Sequence, residues 1–164
     1  MAEEFASYLT SIVGEIEIIA NETHILQIEF LNEKKTEKRL QENAITQQAR
    51  QQLTAYFEKK RFDFDLPLFF SGTEFQNKVW RQLQTIPYGK TISYLQLATQ
   101  LGDPKCIRAA GTANGKNPFS IIVPCPRVSG SNGKLIGYAG GLWRKQLLLE
   151  HEDAIKRQIS LEIK

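Results

Sequence analysis

The chain has 164 residues, enough for one good core or for a small domain beside a slightly larger one. A hydrophobic fraction of 41% and a charged fraction of 24% are ordinary for a soluble globular protein and exclude a low-complexity or fibrous chain. The formal charge of +3 tolerates a polyanion but is far from a histone-like footprint, so charge alone does not argue for nucleic acid.

The N-terminus, Met1-Ala2-Glu3-Glu4, begins with acid and has no apolar core behind it, so no secretory signal is expected. No apolar stretch approaches the length of a membrane span, and no membrane partner is expected. Cys106 and Cys125 are then expected as reduced thiols in a cytoplasmic or nucleoid-associated protein. His24 and His151 stand without paired cysteines, so neither a metal site nor a cofactor is expected.

In chain order, Phe5 to Leu31 is rich in β-branched and aromatic residues and predicts two or three strands, with turns at Gly14 and Asn21-Glu22. Ile45, Ala49, Leu53 and Phe57 recur every fourth residue and predict an amphipathic helix over 45–60. Phe62, Phe64 and Leu66 alternate with Arg61, Asp63 and Asp65, which predicts a further strand stopped by Pro67. Residues 1–70 thus form a small sheet-plus-helix domain with no evident chemistry. Residues 71–164 form a mainly helical domain, and the whole is an α+β fold.

The helical part opens with a cap at Ser71 or Thr73, and Phe75, Val79, Leu83 and Ile86 form the apolar face of a helix that Pro87 ends. Ser93 and Gln96 make a capping box for a second helix that stops at Gly102. Asp103 as N-cap and Pro104 in the first turn begin a third helix, ending near Gly115. Two short helices joined by a tight turn, the second carrying Lys105 and Arg108, make a helix-turn-helix candidate. Ala109, Ala110 and Gly111 beside Arg108 are small and permit close approach of a backbone or a base.

The apolar run Phe119 to Val123 reads as a strand leading into Pro124-Cys125-Pro126-Arg127-Val128. A glycine-rich loop follows from Ser129 to Gly141, and then a leucine-rich helix from Leu142 to Glu152. A cysteine placed there is either a small buried hydrophobe or a nucleophile, and position alone does not choose.

Pro124-Cys125 with Arg127-Val128, preceded by Asn117-Pro118 and followed by Gly137-Tyr138-Ala139-Gly140-Gly141-Leu142, resembles the active-site signature of the O6-alkylguanine-DNA alkyltransferase family. The resemblance extends upstream through Ile86-Pro87-Tyr88-Gly89 and Ser93-Tyr94 to Phe75 and Trp80, and downstream to Glu152, so it covers most of residues 71–164. It implies that Cys125 is the alkyl acceptor, that Tyr94 gives a hydroxyl to the guanine and helps rotate its phosphodiester, and that Arg108 fills the stack vacated by the flipped base. Asn117 is implied as the hinge between the DNA-reading helices, with Lys105 among them, and the active site. The carbonyls of Cys125 and Val128 are implied as acceptors for the exocyclic amine, the Ala139 N–H as a donor to the guanine oxygen, and Tyr138 as pocket wall. The implied partner is double-stranded DNA carrying O6-alkylguanine, with O4-alkylthymine as a candidate second substrate, and the implied state is a monomer.

The residue types suit that chemistry. The alkyl group lies inside the base stack and must be rotated out to meet a protein nucleophile. Displacement at its carbon calls for a soft nucleophile, and donors near the guanine stabilise the charge that the leaving base gains. The thioether product does not exchange, so each molecule acts once.

One position departs from the family. Where the family has histidine after the cysteine, this chain has Pro126, which can neither accept nor carry a proton. That histidine is oriented in the family by the glutamate matching Glu152, so Glu152 is expected either to act on Cys125 through water or to serve as a structural acid. An unperturbed thiol is roughly 7% thiolate at pH 7.4, so the departure predicts slowed transfer. The rival readings are a protein that binds alkylated DNA and signals without efficient transfer, and a plain helix-turn-helix regulator, which would need no Cys125 to Glu152 segment.

Overall fold

The computed structural model describes residues 3–32, 40–130, 138 and 140–155. Three strands, β1 (Phe5–Ser11), β2 (Gly14–Ala20) and β3 (Ile25–Leu31), form an antiparallel meander in the order β1-β2-β3. In β2, Ile16, Ile18 and Ala20 face inward and are fully buried, as period-2 patterning requires. Ala20 pairs with Ile25 but Ile19 pairs with Gln27. Leu26 is therefore an extra residue, and this bulge restores Ile28 to the same inner face as Ile25.

Helix α1 (Ala44–Phe57) starts at Asn43, whose side chain accepts from Thr46 N while the Thr46 hydroxyl accepts from Asn43 N. It lies against the sheet through the buried Ala49, Leu53 and Tyr56. The strand expected at Phe62–Leu66 does not form. The backbone of Asp65 is taken by a side chain instead, its N–H donating to Gln52 Oε1 and its carbonyl accepting from Gln52 Nε2. The Phe62 and Phe64 rings pack on Tyr88 and Tyr56. The free edge of β3 is met by two single bridges, Ile25 to Leu68 and Ile28 to Phe119, so both halves of the chain complete it.

The second half is helical: α2 (Glu74–Leu83), α3 (Tyr94–Gln100), α4 (Ile107–Gly115) and α5 (Leu142–His151). The architecture is α+β, a small sheet unit followed by a mainly helical one containing a helix-turn-helix. Of the two caps open for α2, the structure uses Thr73, which exchanges hydrogen bonds with Gln76. Ser93 and Gln96 cap α3 in the same way. Gly102, at φ 100°, turns the chain in a conformation that only glycine adopts freely, and Pro104–Cys106 add one 3-10 turn before α4. Trp80 of α2 donates from its indole to Ala113 O at 2.9 Å, pinning α4 to the core.

The apolar run at 119–123 is not a strand beyond Phe119. Ile121 has φ 71°, costly for a β-branched residue, and Ile122 N and Cys125 N close three-residue turns onto Ser120 O and Val123 O. The cause is Asn117, whose side-chain amide takes the Val123 carbonyl at 2.8 Å and the Phe119 carbonyl at 3.3 Å.

Candidate active site and DNA-facing helices

Cys125 opens a single 3-10 turn, Cys125–Arg127, that runs into β5 (Val128–Ser129). Pro126 sits in the first turn of that helix, where its missing N–H costs no hydrogen bond. β5 pairs in parallel with β4 (Ile92–Ser93), the two residues directly before α3. This two-residue pairing sets Tyr94, first in α3, beside the cysteine turn. No periodicity in the sequence announces so short a pair.

The Cys125 side chain is buried at 5% exposure, and Asn117 Nδ2 donates to its sulfur at 3.4 Å. Burial pushes the thiol up to about 11, and the Asn117 amide, the Lys145 ammonium and the Tyr138 hydroxyl pull against it. The Tyr138 hydroxyl is buried and meets no partner at hydrogen-bond geometry among the described residues, yet it lies near enough to Cys125 for each to shift the other. Burial also raises Tyr94, with a smaller contribution from Cys125. Asn114 of α4 donates from Nδ2 to the Tyr94 hydroxyl at 3.5 Å, while its Oδ1 is buried without a partner among the described residues. Val128 is fully buried; its N–H donates to Cys125 O and its carbonyl accepts from Lys145 Nζ at 2.7 Å. Both carbonyls expected to meet a base already carry one hydrogen bond, leaving each a second lone pair.

Arg108 and Lys105 are exposed on the helix-turn-helix, and Leu95 and Ile107 beside them expose 53% and 40% of their surface. Gly111 leaves α4 bare where the Tyr94 ring approaches, since a Cβ there would stand 3.8 Å from it. Ala139, expected to offer its N–H, lies outside the described residues.

Glu152 is committed elsewhere than to the thiol. Its carboxylate receives Arg127 Nε at 2.8 Å and Nη2 at 2.9 Å, the Tyr56 hydroxyl at 2.6 Å and Gly89 N at 3.3 Å. Arg127 also donates from Nη1 to Ile86 O at 2.7 Å. Among the described residues no hydrogen bond joins Glu152 to Cys125. The segment Ile86-Pro87-Tyr88-Gly89 is therefore a turn wrapped around this ion pair; Gly89, at φ 77°, is close enough to Glu152 O that a Cβ would meet it at 3.1 Å. Arg127, Tyr56, Asn114 and Lys145 carry no individual role in the sequence reading. Only the Arg127 position, inside the cysteine motif, offered a signal, because the others are recognised by their contacts alone.

The helix-turn-helix and the buried, hydrogen-bonded thiol of Cys125 stand together in the helical half of the chain. Residues 5–70 match the 6-O-methylguanine DNA methyltransferase ribonuclease-like domain, and residues 74–154 match the DNA binding domain of the same family. The chain belongs to this family, the methylated-DNA–protein-cysteine methyltransferases. It is 57% identical over 102 residues to such a methyltransferase of Mycolicibacterium paratuberculosis, covering 62% of each chain. It is 42% identical over 149 residues to that of Methanosarcina barkeri, covering 88% of this chain and 94% of the relative. The match therefore spans less than two thirds of the first relative and nearly all of the second. Among solved structures, the O6-methylguanine methyltransferase of Mycobacterium tuberculosis superposes with a TM-score of 0.82 at 37% identity, covering 98% of this chain and 99% of the other. The M. tuberculosis OGT in complex with DNA gives 0.83 at 40% identity, covering 92% and 93%. No helix among the described residues is long and apolar enough to cross a membrane.

Proposed function

We propose that this chain carries out direct DNA repair: it binds duplex DNA as a monomer and moves an alkyl group from the O6 atom of a flipped guanine to Cys125, once per molecule. The sulfur attacks the alkyl carbon, the carbon–O6 bond breaks toward the guanine, and the base takes up a proton as it leaves. Family membership and the likeness to a DNA-bound relative support the DNA partner.

The observation that carries the reading is the set of unsatisfied polar atoms around the thiol. Buried polar groups normally find partners, and leaving one unmade costs about 1–3 kcal/mol. Asn114 Oδ1 and Tyr138 Oη have none among the described residues, and both belong to the Cys125–Tyr94 neighbourhood. The polar edge of an extruded base supplies what they lack. In this reading Tyr94 donates to the base, because Asn114 already donates to its oxygen and leaves its proton to give. Arg108 enters the stack, Lys105 meets phosphate, Asn117 holds the cysteine turn on the DNA-reading helices, and Tyr138 walls the pocket. Val128 O and the Ala139 N–H contact the base. Glu152 acts through Arg127 by holding the turn that presents Cys125. Residues 71–164 carry the chemistry and residues 1–70 brace it.

Pro126 favours one second reading, a protein that binds alkylated DNA without efficient transfer. Incubation with duplex DNA containing O6-methylguanine, followed by intact-mass measurement, separates the two. A single added methyl group supports repair, and stable binding with unchanged mass supports recognition alone.

A further inference from the structure

With Pro126 after the nucleophile, the chain has no imidazole beside Cys125. It does have a buried cation. Lys145, on the inner face of α5, is fully buried, and its Nζ donates at 2.7 Å to the carbonyl of Val128. Val128 closes the cysteine turn by donating to Cys125 O. The lysine is thus anchored one hydrogen bond from the turn that holds the sulfur, and its charge acts on that sulfur. A lysine stem is rarely buried to this depth, because its ammonium loses hydration. The hydrogen bond to Val128 O recovers part of that loss, and a nearby thiolate recovers more.

We propose that Lys145 is the positioning residue that activates Cys125, its ammonium stabilising the thiolate in place of the family's histidine. The inference deepens the alkyl-acceptor reading of Cys125 and rests on it. The thiol proton passes from the sulfur to solvent water while Lys145 stays protonated. The carbon–sulfur bond then forms as the carbon–O6 bond breaks, and the guanine anion takes up one proton, so the proton count closes.

The other groups facing this pair do not mimic it. Tyr94 and Tyr138 are both raised above the usual phenol range, Arg127 is paired with Glu152, and His151 Nε2 is bonded to Tyr56 O at 2.9 Å. Arg144, next on α5, is spent on Val13 O, Asn32 and Gly140 O. Burial lowers Lys145 to about 8 and raises Cys125 to about 11, so the two titrate as a coupled pair with one proton lost near each value. Below the first value the pair holds both protons. Between the two values one proton remains, and the thiolate–ammonium form is populated at a level independent of pH.

The test is iodoacetamide modification of the full-length protein across pH 6 to 11.5, read on the Cys125 peptide so that Cys106 does not interfere. The native protein should show two rises, near pH 8 and near pH 11, separated by a plateau. Lys145→Met should show a single rise and react at least tenfold more slowly at pH 8.5. Lys145→Arg, whose guanidinium keeps its charge throughout, should show a single rise without a plateau at lower pH than Lys145→Met. A native profile with a single rise near pH 11 overturns the proposal even if the methionine variant does not fold. A folded Lys145→Met protein with the native profile overturns it equally. The reagent needs no DNA, so a two-step profile in a protein that takes no methyl group from duplex DNA containing O6-methylguanine would sink the repair reading and leave the lysine's role standing.

Discussion

Arg127 and Glu152 form a two-pronged ion pair, Nε to Oε1 at 2.8 Å and Nη2 to Oε2 at 2.9 Å, with their side chains 8% and 6% exposed. Each partner answers for the other's burial, and Tyr56 from the sheet half completes the carboxylate's shell. The pair joins the cysteine turn, the end of α5 and α1.

Removing one member should therefore act on stability first. Glu152→Ala leaves a guanidinium buried without its counter-charge and should cost about 3–5 kcal/mol of unfolding free energy. Replacing both, Arg127→Met with Glu152→Leu, should recover part of that loss. Urea denaturation of the three proteins checks this, and a loss below about 1 kcal/mol in Glu152→Ala would mean that water reaches the pair.

Cys125 should be the sole acceptor. An O6-alkylguanine oligonucleotide should add one alkyl mass to the Cys125 peptide and none to Cys106, which is part-buried near the start of α4 and directed toward Ala98 O at 4.0 Å. Peptide mapping of native protein and Cys125→Ser decides it. Label persisting in the serine variant contradicts the assignment.

Arg108 and Tyr94 should separate by substrate. Arg108 is exposed, so Arg108→Ala should slow repair in duplex DNA tenfold or more and leave reaction with free O6-benzylguanine nearly unchanged. Tyr94→Phe should slow both, because its hydroxyl serves the base itself. Single-turnover rates on the two substrates make the comparison, and equal losses in Arg108→Ala would count against stack filling.

Pro126→His should speed transfer at neutral pH. A small cavity bordered by Pro126 and Glu152, with Tyr56, Ile121 and Leu148 in its wall, lies beside this position. A neutral imidazole accepts the thiol proton, so the gain should appear above about pH 6.5 and vanish below it. Transfer measured from pH 6 to 9, with folding followed by thermal melting, tests this. An unchanged profile in a folded variant would show that Cys125 is activated without a base at that position.

The sequence by itself determined what is local or written in a contiguous motif. The β-branched and aromatic richness of the strands, the four-residue period of α1, the Ser93–Gln96 box and the Gly102 stop each act within a few residues, so each was readable before any contact was known. The Cys125 motif was readable because Pro124–Val128 and Gly137–Leu142 are contiguous stretches that carry a family resemblance. Tertiary structure decided the rest. Phe62–Leu66 alternates like a strand, but Gln52 takes the Asp65 backbone; Phe119–Val123 is apolar like a strand, but Asn117 folds it into turns. Lys145, Asn114 and Tyr56 look like ordinary helix residues in sequence. Their roles arise because β4 and β5 pair and α5 packs against the cysteine turn, bringing an ammonium and an amide from distant positions toward Cys125 and a phenol to the Arg127–Glu152 pair. Burial sets their electrostatics, since removing water strengthens every charge and every unmade hydrogen bond, and burial is a property of the folded chain alone.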